Sequence, residues 1–281
     1  MPTTGPGRRE LVVGGAAGTV LGVVGALAPA APAGAAGIAT RSQLTAALDR
    51  YMATRSGVAG LGYLDNRNRQ YYFWRPRSMQ SHSTIKVLVL VTLLRLAEQK
   101  NRSLTTTERS LAARMIRYSD NDATDALVRQ VGVTACRRVA GELSMDRTTV
   151  LGGTVFRSST WWGHSVVTTR DLLRLENCLV YSGYLTPASR VFARRLMETV
   201  TSSQTWGLGD GLPSTAHVEL KNGWGPRSDG YRLNCVGHVR GSGRSYQMSI
   251  LSRSGAGYSY GQATVNRLSR IVWDALDTPL A

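Results

Sequence analysis

The stretch Ser83–Leu96 reads STIKVLVLVTLLRL. From Ile85 onward it is rich in Ile, Leu and Val, too long for a typical strand and bounded by polar residues, which predicts a buried helix. Ser83 then lies at the helix N-terminus, where a hydroxyl experiences the positive end of the helix dipole. Lys86 follows three residues later and shares a helix face with Ser83. A serine and a lysine so placed are a candidate nucleophile and base.

Lysine is rare in this chain, which holds three lysines against 31 arginines. Two of the three, Lys86 and Lys221, belong to short motifs that suit serine acyl transfer. Arginine stays charged, whereas lysine can lose its proton near neutral pH and act as a base. Burial and a second nearby cation would each lower the pKa of Lys86. These two lysines therefore indicate chemistry for which a guanidinium is unsuited.

Three motifs follow one another as Ser-x-x-Lys, Ser-Asp-Asn and Lys-x-Gly, at Ser83–Lys86, Ser119–Asn121 and Lys221–Gly223. In this order they resemble the penicillin-recognising serine hydrolases, and within them the class A β-lactamase-like branch. The resemblance covers nearly all of the chain after residue 35. It implies an α/β (α+β) fold in which an antiparallel sheet, flanked by terminal helices, lies beside an all-helical lobe. It also implies an acyl-enzyme mechanism that needs no metal or cofactor.

The resemblance implies a role for each motif residue. Ser83 is the predicted nucleophile and Lys86 its base. Ser119 would relay the proton to the leaving nitrogen, while Asn121 would bind the substrate amide or steady Lys86. The backbone N–H groups of Ser83 and Trp224 would hold the oxyanion.

The third motif contributes the other predicted site residues. Lys221 is the second cation expected beside Lys86, and Gly223 leaves room for substrate backbone beside the strand. Asn222 replaces the Thr or Ser that is usual in the family. An amide therefore stands where a hydroxyl is expected to touch a substrate carboxylate, and the substrate preference stays open.

The sequence departs most from the family in the loop that should supply the deacylation base. Class A β-lactamases carry there a glutamate that activates water, but no Asp or Glu occurs from Thr148 to Arg170. His164 is the one titratable candidate for that base in this segment, because imidazole titrates near neutral pH. A packed loop histidine is the alternative. We therefore predict fast acylation followed by slow release.

We interpret the chain as a serine hydrolase that acts on a small-molecule β-lactam or a related amide. A D-alanyl-D-alanine carboxypeptidase or transpeptidase would use the same acylation residues on cell-wall peptides, and a non-hydrolytic binder of such ligands is a third reading. The net charge of +16 comes from scattered arginines, with no basic run longer than two residues. The chain also has no nucleic-acid-binding motif, so we expect no nucleic-acid partner.

The first 35 residues predict a cleaved signal peptide. Arg8 and Arg9 precede the apolar stretch Leu11–Ala28, and Ala33 and Ala35 offer a small-residue cleavage site. A twin-arginine signal and an uncleaved membrane anchor are the alternatives. We expect residues 36–281 to form one catalytic domain that is monomeric and secreted or associated with the cell envelope.

Hydrophobic periodicity outlines the rest of the chain. It predicts terminal helices at 40–57 and 261–276, strands at 58–64, 71–74, 217–220, 231–239 and 246–252, and a helical lobe over about 84–205. Three cysteines are too few for a disulfide scaffold. Either Cys136 pairs with Cys178, or Cys136, Cys178 and Cys235 are all small buried apolar residues.

Overall fold

The computed structural model describes residues 37–151 and 161–281. Those residues contain eight α-helices and seven β-strands. The helices are α1 Arg41–Ala53, α2 Lys86–Gln99, α3 Thr106–Arg117, α4 Asn121–Val131, α5 Val133–Glu142, α6 Thr169–Val180, α7 Pro187–Glu198 and α8 Gly257–Ala275. The strands are β1 Val58–Asp65, β2 Gln70–Trp74, β3 Ser78–Gln80, β4 Val166–Thr168, β5 His217–Arg227, β6 Gly230–Gly241 and β7 Arg244–Ser254.

Five strands form one antiparallel sheet in the order β2-β1-β7-β6-β5. Strands from both ends of the chain therefore share a sheet, and the segment between them supplies helices α2–α7. This arrangement confirms the predicted α+β class. Strand β5 is an edge strand, so one side of its backbone is left without a strand neighbour. That free side faces the turn containing Ser83.

Two apolar cores hold the layers together. Helices α1 and α8 pack on one face of the sheet through residues such as Leu48 and Val272. The second core surrounds α2, whose run Val87–Leu94 is buried on every side. A helix that is apolar all round is stable only when fully enclosed. Burial of α2 at the centre of the helical lobe fixes the position of Ser83 and Lys86 at its start.

The structure differs from the sequence prediction near the site: the strand predicted at 217–220 continues to Arg227 as β5, and two further differences concern Ser83 and β3. Ser83 lies in a 3-10 helix, His82–Ile85, and the α-helix begins only at Lys86. A second, two-stranded sheet pairs β3 with β4, with Ser78 opposite Thr168. Strands of three residues are too short to show a period in the sequence, and their pairing is set by chain segments far apart.

The cysteines Cys136, Cys178 and Cys235 are all free and buried. The pairing of Cys136 with Cys178 is therefore not found, and the thiols serve as small apolar core residues. No helix in residues 37–151 and 161–281 is both long and apolar enough to cross a membrane. The predicted signal peptide lies outside the described residues.

Glu176 on α6 is fully buried, and neither carboxylate oxygen has a hydrogen-bond partner. Burial, with a smaller contribution from Glu219, raises its pKa to about 8 from an ordinary value of 4.5. The folded state therefore binds an extra proton between those pH values, so this residue costs stability increasingly as pH rises through that range. Glu176→Gln should raise the free energy of unfolding at pH 8.5 by a few kcal/mol, because each unit of pKa shift is worth about 1.4 kcal/mol, with little change at pH 4.5.

Urea unfolding of both proteins at pH 4.5 and 8.5 measures this difference. Asp210→Asn is the matched control, because Asp210 is exposed and has no ion pair in the described part of the chain. It should give no pH-dependent change. An equal response of Glu176→Gln at both pH values would show that Glu176 is not protonated in the fold.

Candidate active site

Ser83 lines a cleft of about 270 Å³ between the helical lobe and the edge of the sheet. His82 precedes it with a φ of 47°, in the left-handed region, which turns the chain sharply at the end of β3. The cleft brings together residues from four segments: His82, Ser83, Asn121, Trp162, Gly163, His164, Trp224, Gly225 and Pro226. Four of the sequence-predicted site residues, Ser83, Asn121, His164 and Trp224, thus meet at one opening.

Lys86 is fully buried at the start of α2. Its Nζ donates to the Ser119 carbonyl at 2.6 Å, to Asn121 Oδ1 at 2.9 Å and to Ser119 Oγ at 3.2 Å. Burial, and then the charge of Lys221, lower the pKa of Lys86 to about 6, although nearby carboxylates oppose the shift. A large share of Lys86 is therefore an uncharged amine at neutral pH. The predicted role of Asn121 in steadying Lys86 agrees with this geometry.

Ser119 joins the two buried lysines. It has a φ of 55° in the loop between α3 and α4, where Asp120 caps α4 by accepting from the backbone N–H of Ala123. This conformation places Ser119 Oγ 3.2 Å from Lys86 Nζ and 3.0 Å from Lys221 Nζ. A hydroxyl both donates and accepts, so it can pass a proton between these groups.

Lys221 approaches from β5 and is also fully buried. Besides Ser119, its Nζ donates to the Asn222 carbonyl at 2.9 Å and to Gln204 Oε1 at 3.3 Å. Burial lowers the pKa of Lys221 to about 7. Burial thus brings the pKa values of both lysines close to neutral pH, because it removes the solvation of the charged amine.

Gly223 allows β5 to lie against the Ser83 turn. A Cβ atom at this position would sit 2.7 Å from the backbone nitrogen of Ser83 and 2.6 Å from the Ser81 carbonyl oxygen. No side chain can be accommodated at such distances. The close approach brings the Ser83 N–H beside the edge of β5, where Trp224 follows in sequence. The predicted oxyanion donors therefore lie on neighbouring segments.

Asn222 does not have the placement expected of a substrate contact. It is fully buried, and its Nδ2 donates to the carbonyl oxygens of Gln204 at 2.8 Å and Trp206 at 3.1 Å. Both of its amide hydrogens are therefore used to tie the 204–206 segment to β5. In strands, neighbouring side chains point to opposite faces, so Asn222 lies on the face away from Lys221.

His164 lines the cleft at the end of a 3-10 helix, Trp161–His164. Its Nδ1 accepts a hydrogen bond from a guanidinium nitrogen of Arg227 at 3.0 Å, because guanidinium can only donate, and the neutral ring therefore carries its proton on Nε2. Burial, and then the charge of Arg227, lower the pKa of His164 below its ordinary value. His164 can accept a proton from water only once Nδ1 is released from Arg227. Residues 152–160, which are part of the segment Thr148–Arg170 where the family glutamate is expected, lie outside the described residues.

The structure adds three site residues that sequence reasoning did not select. Gln204 accepts a hydrogen bond from Lys221 Nζ at 3.3 Å. Nothing in the sequence indicates this contact, because the two residues are 17 positions apart. Trp162 lies beneath Lys86, with Nζ 4.7 Å from the ring centroid, and its indole N–H donates to Asp125 at 2.6 Å. His82 lines the cleft beside Ser83, and its ring packs against Gly225. Of these three residues, only His82 could have been found from the sequence, because it directly precedes Ser83.

The site holds the protein groups that acyl transfer needs: a hydroxyl, two lysines of lowered pKa and backbone N–H donors. Within residues 37–151 and 161–281, no three His, Cys, Asp or Glu side chains lie close enough together to hold a metal ion. Ser83, Asn121, His164 and Trp224 line the cleft, and Ser119 lies within hydrogen-bond distance of both buried lysines.

Comparison with known proteins agrees with this arrangement. The chain is similar in structure to a class A β-lactamase from Bacteroides cellulosilyticus (TM-score 0.75, 17% identity, 85% of this chain and 99% of that chain). It is also similar to a class A β-lactamase from Mycobacterium abscessus (TM-score 0.70, 18% identity, 84% of this chain and 100% of that chain). A third similar structure is PBP-A (TM-score 0.72, 18% identity, 85% of this chain and 97% of that chain). These likenesses concern the fold. No curated protein sequence matches the chain.

The sequence model of the β-lactamase enzyme family matches residues 104–276. The match covers more than half of the chain and includes the motifs at Ser119 and Lys221. The Ser83–Lys86 motif precedes the matched region, and the geometry of the cleft joins it to the other two. The chain therefore belongs to the β-lactamase enzyme family and is a member of the penicillin-recognising serine hydrolases.

Proposed function

We propose that this protein is an exported hydrolase that forms an acyl-enzyme at Ser83 with a β-lactam or a related amide. The observation that carries the proposal is the position of Ser119 Oγ, within hydrogen-bond distance of both Lys86 and Lys221 beside the cleft that Ser83 lines. Two buried lysines of lowered pKa around one hydroxyl form a route for proton transfer.

In the proposed acylation, Ser83 Oγ attacks the carbonyl carbon while neutral Lys86 accepts its proton. Lys86 Nζ is held by Ser119 and Asn121 in this structure, so it must turn toward Ser83 or act through an intervening water. Charge on the carbonyl oxygen is stabilised by the Ser83 and Trp224 N–H groups. Ser119 donates its proton to the leaving nitrogen as the amide bond breaks, and receives another from a neighbouring lysine.

Release of the acyl group is the step we propose to be slow. Deacylation needs a base that activates water, and no acidic residue occurs from Thr148 to Arg170. General-base catalysis typically contributes ~10²–10⁴-fold, so its loss turns rapid turnover into a burst with slow release. We propose His164 as the base that remains, because it lines the cleft and its pKa is lowered.

Intact-protein mass spectrometry over time with a penicillin tests these steps together. We expect a stoichiometric burst, one adduct per chain, and an adduct that persists long after free penicillin is removed. His164→Ala should prolong the adduct further because the proposed deacylation base is then removed from the cleft. The readout is the adduct lifetime.

The matched control is His217→Ala, which removes an imidazole that bonds Glu198 outside the cleft. It should leave the lifetime unchanged. Fast multi-turnover hydrolysis without a detectable adduct would refute slow release. An unchanged lifetime in His164→Ala would remove His164 from the mechanism while leaving the acylation proposal intact.

A D-alanyl-D-alanine carboxypeptidase or transpeptidase is the second candidate. The absence of an acid from Thr148 to Arg170 favours it, since these enzymes lack the deacylation glutamate, and the structural likeness to PBP-A is compatible with it. Turnover of a D-Ala-D-Ala peptide with none of a β-lactam would select this function. Acylation once, without turnover of either compound, would favour a non-hydrolytic binder.

We further propose that the chain is exported, cleaved near Ala36 and active as a monomer in the cell envelope or the medium. The apolar stretch Leu11–Ala28 and the small residues Ala33 and Ala35 support cleavage there. N-terminal sequencing of protein recovered outside the cell should begin near Ala36, and light scattering should give one chain. Full-length chains starting at Met1 in the membrane fraction would instead identify an uncleaved anchor.

A further inference from the structure

A second cleft, larger than the one at Ser83, opens beside the far end of the β3–β4 ladder. Its volume is about 670 Å³, and its lining includes Arg77, Arg147, Arg170 and Arg174. Ser78 of β3 lies in this lining, whereas Ser83, five residues later, lines the catalytic cleft. The arginine-lined cleft shares no lining residue with the catalytic cleft.

Three of the four guanidinium groups have no carboxylate partner. Arg174 is neutralised, since it pairs with Asp146 at 3.2 Å and Asp171 at 3.4 Å. In residues 37–151 and 161–281, Arg77, Arg147 and Arg170 form no salt bridge. Arg77 donates at 3.4 Å to the Ala59 carbonyl and Arg170 stacks 4.3 Å from the centre of the Phe73 ring. These contacts orient the two side chains without cancelling their charges.

The neighbouring sequence supplies no counter-charge either. Residues 148–170 contain no Asp or Glu, so the segment 152–160, which joins the two described parts of the chain, carries no acid. The lining of the cleft therefore has four arginines against two aspartates, Asp146 and Asp171, an excess of two positive charges.

Helix α6 begins at Thr169, within the lining of the same cleft. The positive end of its dipole adds to the arginine charge. Asp171 lies in the first turn of α6 and in the lining of the cleft, and so offsets part of this positive charge. Both of its carboxylate oxygens are already engaged, since Oδ2 accepts from the Arg147 backbone N–H at 3.1 Å and the Thr148 hydroxyl at 3.0 Å, and Oδ1 faces Arg174.

We propose that the arginine-lined cleft is a binding site for an anion that carries several phosphate groups. Guanidinium matches the geometry of phosphate oxygens and can bind them in bidentate fashion. The volume falls within the range of ~300–1,000 Å³ typical of ligand sites, and three separate guanidinium groups suit a ligand with more than one anionic centre. A phosphate polymer or a small oligophosphate meets these requirements.

Isothermal titration of the whole protein with tripolyphosphate, in 50 mM and 200 mM salt, tests the site. The expected result is saturable binding of one tripolyphosphate per chain that weakens with salt, with inorganic phosphate and citrate binding at least tenfold more weakly. The triple variant Arg77→Gln, Arg147→Gln and Arg170→Gln should lose at least tenfold in affinity. Its circular dichroism and unfolding temperature establish that it folds.

The matched control changes three exposed arginines on separate helices, Arg50→Gln, Arg129→Gln and Arg267→Gln, and removes the same net charge. It should lose less than twofold in affinity. Equal weakening in both triple variants would overturn the proposal, because net charge alone would then explain binding. Citrate binding as tight as that of tripolyphosphate would overturn the preference for phosphate, and the absence of saturation would overturn the site.

Discussion

Ser83→Ala is expected to abolish the covalent adduct with penicillin. The substitution removes the attacking oxygen and leaves the backbone N–H, the cleft and both buried lysines in place. No other hydroxyl in the described cleft is placed to replace it, since Ser119 Oγ is bonded to both lysines. Intact-protein mass spectrometry should show only the unmodified mass after hours with excess penicillin.

Ser78→Ala provides the control for this experiment. Ser78 is an exposed serine on β3, five residues before Ser83 and outside the catalytic cleft. The Ser78→Ala protein should be acylated at Ser83 at the same rate as the unaltered protein. A full adduct on the Ser83→Ala protein would show that another residue is the nucleophile, and peptide mapping of that adduct would locate it.

Lys86→Arg is expected to lower the rate of Ser83 acylation by ~10²–10⁴-fold, the usual contribution of a general base. The charge is kept, but guanidinium stays protonated and cannot accept the Ser83 proton. The measurement is the pseudo-first-order rate of adduct formation. Lys100→Arg, the same change at the exposed C-terminal end of the same helix, should leave that rate unaltered.

The pH dependence of acylation gives an independent measure of the same role. The pKa of Lys86 is lowered to about 6 by burial and by Lys221, so the basic amine forms as pH rises from 5 to 7. The acylation rate should increase through this range, and Lys86→Arg should lack the increase. Retention of most of the rate in Lys86→Arg, or a flat profile in the unaltered protein, would contradict Lys86 as the base.

Local order in this protein follows from local sequence. The capping box at Thr105 and Glu108, the Thr186 cap before Pro187 and the apolar run of α2 each act within a few residues, and all are present in the structure. Predicted strands at both ends of the chain, on either side of a helical block, also indicate one sheet made from both termini. Such features are predictable because capping and periodic burial depend on neighbours in the sequence.

The sequence also selected the candidate site residues that the structure brings together. The scarcity of lysine and the order of three motifs predict Ser83, Lys86, Ser119 and Lys221, and the tertiary structure places Ser119 Oγ within hydrogen-bond distance of both lysines. The sequence prediction placed Asn222 against the substrate, whereas in the structure its amide hydrogens bind the carbonyl oxygens of Gln204 and Trp206. These partners lie 16 to 18 residues away along the chain, so the motif gave no sign of them. Motif positions specify residue types, and not which face of a strand meets the substrate.

Only the tertiary structure decided the pKa values of the two site lysines and the residues that hold them in place. Lys86 and Lys221 are 135 positions apart, and their lowered pKa values arise because the helical lobe closes on the sheet edge and excludes water from both. Gln204 and the paired Trp162 and Asp125 enter the site for the same reason. Desolvation and long-range hydrogen bonds are properties of the packed chain, because they depend on which surfaces meet in space rather than on which residues are neighbours in sequence.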